Sequence, residues 1–148
     1  MTGGRGRGDD AATAVAALPN LPPLGLYVHL PWCVQKCPYC DFNSHGLKGL
    51  LPEASYLDAL LADLEDEWPL VGGRGVATVF FGGGTPSLFR AESIGRLLEW
   101  LRARDGLAAD AEVTLEANPG TVERGRFADY RAAGINRISL GVQSFDPT

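Results

Sequence analysis

The sequence predicts an α/β fold, an incomplete parallel (β/α) barrel with about four strands present. Three observations predict it. Strand-length apolar or alternating runs are separated by helix-period leucine stretches, in the order strand, helix, strand, helix, strand, helix, strand, which calls for parallel strands joined by helical crossovers. The distinctive polar features follow the strands: a cysteine loop after the first, a glycine run after the second, Glu116 at the end of the third and Gln143 after the fourth. Ligands of parallel sheets and barrels collect at those carboxyl ends. Finally, an eight-unit barrel takes ~250 residues, whereas the sequence has 148. Residues 24–148 are therefore expected to be the N-terminal part of a core domain truncated at its C-terminus, behind a disordered leader at residues 1–23.

The elements follow from the residues in order. The leader mixes Gly, Arg, Asp and Ala without the apolar centre of a signal peptide; Asp9 and Asp10 count against an organelle-targeting reading of Arg5 and Arg7. In residues 24–30, Leu26, Val28 and Leu30 point one way and Tyr27 and His29 the other, and Pro31 ends the strand. Leu57, Leu60, Leu61, Leu64 and Trp68 recur at helical spacing, with Pro52 suited to the first turn and Pro69 barring continuation. Residues 75–81 form a nearly continuous apolar run, as expected of a parallel strand buried on both faces. Ile94, Leu97, Leu98 and Leu101 mark a second helix, closed by Gly106.

Residues 111–116 form the third strand, with Val113 and Leu115 opposing Thr114 and Glu116. A turn at Asn118, Pro119 and Gly120 leads to a helix capped by Thr121, carrying Phe127 and Tyr130 and ended by Gly134. Residues 136–142 form the last strand: Ile138, Leu140 and Val142 on one side, Ser139 and Gly141 on the other, with Gln143 continuing the second set. If the apolar faces pack on the helices, then Tyr27, His29, Thr114, Glu116, Ser139 and Gln143 share an inner face. A face this polar suggests a ligand-holding lumen.

A formal charge of −5 argues against general nucleic-acid or anionic-membrane binding, which would need a basic patch. Arg124, Arg126 and Arg131, interleaved with Glu123 and Asp129, read as a solvated helix face. No apolar run approaches the ~20 residues of a membrane span. The three cysteines lie within eight positions, too close for a disulfide framework, which implies a reducing compartment and a cytoplasmic location.

Cys33, Cys37 and Cys40, spaced C-x3-C-x2-C, can hold a four-iron cluster by three corners and leave the fourth iron open to an exogenous ligand. A zinc site would need a fourth ligand, which His29 or His45 could supply, although zinc ligands usually come as two separated pairs. Plainer readings stand beside the others. The glycine run can be simply a turn, Glu116 a strand-end carboxylate paired with an arginine, Gln143 a buried amide satisfying backbone groups, and His29 a satisfied inner-face histidine. Trp32, Trp68 and Trp100 read as packing residues, Asp41 and Asn43 as steadying the cysteine loop, and His45 as a loop residue without a role.

Five segments, YVHLPWC at 27–33, CPYCDFNS at 37–44, GGGTPS at 82–87, EANPG at 116–120 and GVQSF at 141–145, together resemble the radical S-adenosylmethionine (SAM) superfamily. Within it they resemble the heme chaperone and oxygen-independent coproporphyrinogen III oxidase-like family. The resemblance covers residues 24–148. It implies that Cys33, Cys37 and Cys40 bind a [4Fe-4S] cluster whose open iron is chelated by SAM, which reductive cleavage converts to methionine and a 5'-deoxyadenosyl radical. Tyr27, Tyr39, Gly83, Gly84, Thr85, Glu116 and Gln143 match cofactor-contacting positions. The glycines would permit close approach and offer free N–H groups to a carboxylate.

The dehydrogenase branch carries a further cysteine two positions after the last cluster ligand, where this chain has Phe42. The resemblance therefore implies a heme chaperone, with heme or porphyrin as cargo, respiratory membrane enzymes as acceptors and an electron donor as partner. The alternatives are the coproporphyrinogen III dehydrogenase, which oxidatively decarboxylates propionates to vinyls, and a non-catalytic metal-binding fragment.

Overall fold

The computed structural model describes residues 21–119 and 124–146. The expected leader, except for residues 21–23, lies outside the described residues, as do Gly120 and the Thr121 cap. The chain runs through β1 (Leu24–Leu30), β2 (Trp32–Cys33), β3 (His45–Gly46), α1 (Glu53–Glu67), β4 (Val76–Gly83), α2 (Ala91–Arg102), β5 (Leu107–Ala117), α3 (Arg124–Ala133) and β6 (Arg137–Leu140). The main sheet has the order β1-β4-β5-β6 with every pairing parallel. Each crossover advances one strand without reversing, which is the winding of a barrel segment and not of a doubly wound sheet.

Val28 and Leu30 of β1, Val79 and Phe81 of β4, and Val113 and Leu115 of β5 meet Leu57, Leu98, Leu101 and Tyr130 of the helices in one core. The opposite face follows the expected parity. Register aligns Tyr27, Phe80, Thr114 and Arg137 in one row, pairs His29 with Gly82, and pairs Glu116 with Ser139. Its polar groups are not all open to a lumen. Thr114 is only 1% exposed, accepts a hydrogen bond from Arg137 Nη1 (3.2 Å) and donates to Glu112 (3.3 Å), which Arg137 also faces at 3.6 Å. The lower part of the inner face is thus plugged by a self-satisfied network, and its carboxyl end remains for a ligand.

Several expectations change in detail. β4 is not buried on both faces: Val79 and Phe81 are buried, while Thr78 is exposed and Phe80 half-buried, because its second side belongs to the inner face. β5 starts at Leu107, four residues before the expected 111. β6 is shorter than 136–142, and Leu140 and Val142 stay exposed. Pro52 is the cap residue of α1 and not part of its first turn, and a 3-10 turn, Trp68–Val71, carries Pro69 beyond the helix.

The end of α2 shows why Gly106 is glycine. Asp105, at φ 51°, takes the left-handed position that was expected of Gly106. Asp105 N–H donates to Arg102 O (3.0 Å) and Gly106 N–H to Leu101 O (2.9 Å), the paired bonds of a Schellman ending. A Cβ on Gly106 would lie 2.4 Å from the Trp68 ring, which itself stands edge-on to Trp100 at 5.2 Å. We predict that Gly106→Ala lowers unfolding free energy by about 1–3 kcal/mol through overpacking. Gly75→Ala, which meets nothing within 4 Å, should stay within roughly 0.5 kcal/mol of the parent in the same urea titration.

Candidate functional site

Because β1 and β4 are parallel neighbours, the cysteine loop and the glycine run emerge side by side. Gly84 N–H donates to Leu30 O (2.9 Å) and Thr85 N–H to Trp32 O (2.7 Å). A Cβ on Gly84 would sit 2.6 Å from the Trp32 carbonyl oxygen, so only glycine allows this approach. Gly83 is held at φ +120° against the His29 ring, and its N–H donates to Glu116 Oε2 at 3.3 Å. The expectation of free N–H groups on this loop is therefore corrected: those of Gly83, Gly84 and Thr85 are all engaged within the chain. What the loop offers a ligand is close approach.

Behind the glycine run, the 3-10 turn Pro86–Leu88 is tied to α3 by the Tyr130 hydroxyl, 3.0 Å from Ser87 O and 2.6 Å from Phe89 O. Burial pushes the Tyr130 phenol pKa up, which keeps the group a donor. The cysteine loop is closed by the β2–β3 pair, with His45 N–H on Pro31 O (2.7 Å) and Leu47 N–H on Cys33 O (2.8 Å). His45, read as a loop residue, thus belongs to this closure through its backbone. Trp32 packs edge-on against Tyr56 at 4.6 Å and near Phe89, and Tyr56 hydroxyl donates to His29 O (2.8 Å).

The two loops enclose a cavity of about 380 Å³ lined by Cys33, Cys37, Cys40, Tyr39, Gly83, Gly84, Thr85, Glu116 and Gln143. It collects every candidate residue except Tyr27, whose ring instead stacks on Phe80 and whose hydroxyl meets His29 Nδ1 at 3.1 Å. Partial burial, and then the Glu116 charge, raise the Tyr27 phenol pKa. The Tyr39 phenol, 73% exposed, is raised mainly by its hydrogen bond with the Cys37 thiol. Asn118 and Ser139 also line the cavity, and Asn118 Nδ2 donates to Thr85 Oγ1 at 3.2 Å. The sequence marks Asn118 only as a turn residue. Its even parity with Thr114 and Glu116 was the signal that places it on the inner face.

The plainer readings divide. Glu116 is in none of the ion pairs among the described residues and faces the cavity. His29 is satisfied: Nε2 meets Asn43 O at 2.8 Å and Nδ1 meets Tyr27. It is thereby a poor candidate for a zinc ligand. Among the described residues no group of three His, Cys, Asp or Glu side chains converges as a single metal ion requires. Three free cysteines on one cavity wall fit a cluster, which takes its ligands at separate corners.

Residues 27–148 match the Radical SAM superfamily. The chain is 62% identical over 126 residues to the heme chaperone HemW of Escherichia coli, covering 85% of this chain and 33% of that protein. It is 41% identical over 140 residues to the mitochondrial radical S-adenosyl methionine domain-containing protein 1 of Bos taurus, covering 95% of this chain and 31% of that one. Among solved structures, coproporphyrinogen III oxidase (HemN) of E. coli, described as a radical SAM enzyme, superposes with a TM-score of 0.79 at 38% identity, over 91% of this chain and 31% of its own. The chain thus spans about a third of the length of the relatives it matches. The loop contact yields a test: Gly84→Ala should cost about 1–3 kcal/mol of stability, and hydrogen exchange at the Thr85 amide should rise; unchanged exchange would remove the claim that the approach is tight.

Proposed function

The chain belongs to the radical SAM superfamily, and from that premise we propose that its cavity holds a [4Fe-4S] cluster on Cys33, Cys37 and Cys40 with SAM beside it. The observation that carries this reading is the single cavity shared by the three thiols, the glycine run and Glu116. When bound, the pair would supply one-electron reductive cleavage of the sulfonium. The chain's own residues bind and orient. With the N–H groups of residues 83–85 engaged, the Glu116 carboxylate on the cavity wall suits an ammonium group better than a carboxylate. Thr85, held by Asn118, and Gln143 complete the polar wall, and Tyr39 covers it from the cysteine loop. Tyr27 acts from the neighbouring row, through His29.

We propose further that the protein handles heme as a chaperone in the cytoplasm, with heme as cargo, respiratory enzymes as acceptors and an electron donor as partner. The 62% identity to a heme chaperone supports this over the 38% identity to the oxidase. So does Phe42, 67% exposed on the cavity wall, where the dehydrogenase branch carries a thiol. Dehydrogenase activity is the second reading. Supplied with coproporphyrinogen III, SAM and reductant under anaerobic conditions, the reconstituted full-length protein should form no protoporphyrinogen IX, yet should bind heme in a spectral titration. Steady turnover to protoporphyrinogen would reverse the assignment. Glu116→Gln, which removes the charge and keeps the shape, should weaken SAM binding about tenfold in equilibrium dialysis; parent-like affinity would take Glu116 out of the site.

A further inference from the structure

The three carbonyls that follow the last cysteine's turn are each held by a side chain. Asn43 O accepts from His29 Nε2 at 2.8 Å. Phe42 O and Ser44 O, on either side, both accept from the Lys36 ammonium at 3.1 Å. Lys36 lies in the three-residue spacer between Cys33 and Cys37, and it is the only side-chain cation between Cys33 and Cys40. It does not line the cysteine cavity; it lines a separate hollow with Trp32, Ser44 and His45. The ammonium therefore crosses from the entry limb of the loop to its exit limb without reaching the ligand space. Ser44, which it holds, is buried, and its Oγ stands 3.8 Å from Cys40 Sγ.

Lys36 is itself exposed, so holding both carbonyls, one of them at a part-buried bond, sets hydration and stem rotamer freedom against two charge-assisted bonds. Two bonds to carbonyls six and eight positions away define a clamp that sets the distance between the limbs carrying Cys37 and Cys40. Resting on the cluster reading above, we propose that Lys36 is a positioning residue of the cluster loop: it pins the exit limb and fixes one positive charge beside the cluster. The first effect keeps the thiolates in place. The second favours the reduced form, since added electron density is stabilised by a nearby cation.

Lys36→Met keeps the stem and removes the ammonium, and Lys36→Arg keeps the charge. In the cluster-free full-length protein, Lys36→Met should speed hydrogen exchange at the Ser44 and His45 amides about tenfold. After reconstitution it should lose iron to a chelator faster and show a more negative midpoint potential, which Lys36→Arg should restore toward the parent value. Parent-like exchange, or an unmoved potential, in Lys36→Met overturns the proposal. If the parent protein takes up no cluster, the reading of the site falls instead, and the exchange rates still decide whether Lys36 clamps the loop.

Discussion

The site depends on one backbone contact, the approach of residues 84–85 to residues 30–32. Gly84 and Thr85 donate to Leu30 O and Trp32 O at 2.9 and 2.7 Å, in effect extending the β1–β4 ladder past the end of the strands. The approach requires a residue without a Cβ at position 84, since a methyl there would fall 2.6 Å from the Trp32 carbonyl oxygen. The contact holds together the cysteine loop and the glycine run, which parallel pairing of β1 and β4 brings out at the same end of the sheet. It also engages the N–H groups that a glycine loop would otherwise present, which changes the chemistry the loop can offer.

The apolar layer keeps that contact in register. Tyr130, 1% exposed, binds the turn after the glycine run from α3, and the Trp32, Tyr56 and Phe89 rings pack beneath the root of the cysteine loop. Leaving the carbonyls bound by the buried Tyr130 hydroxyl without it would cost about 1–3 kcal/mol, and truncating the buried Phe89 ring about 3–5 kcal/mol. Above this layer the order reverses: Cys37, Tyr39 and Phe42 are exposed. A rigid base with an open rim suits a site whose ligands must enter and leave.

Much of this was legible in the sequence because strand parity and parallel winding are rules of geometry. The alternation at Tyr27 and His29, and at Thr114 and Glu116, is enough to place the inner face, and the position of each loop after its strand is enough to gather the cavity. What escaped reading depends on tertiary partners. The engaged N–H groups of residues 83–85 require knowing that β1 adjoins β4. The left-handed position falls on Asp105 and not on Gly106, and Gly106 is glycine for a different reason, the Trp68 ring beside it. Thr114 looked like a lumen residue, yet it is closed off by Arg137 and Glu112, a network no periodicity reveals. Tyr27 shares the predicted face but turns to His29 and away from the cavity.

The central claim is that the three thiols and the cavity beside them form one site for a cluster and its sulfonium ligand. Electron paramagnetic resonance of the anaerobically reconstituted, dithionite-reduced full-length protein, recorded with and without SAM, tests it most directly. The account predicts a reduced [4Fe-4S] signal whose g values shift when SAM is added, because the open iron then gains a ligand. A signal indifferent to SAM, or metal bound without acid-labile sulfide, would contradict it.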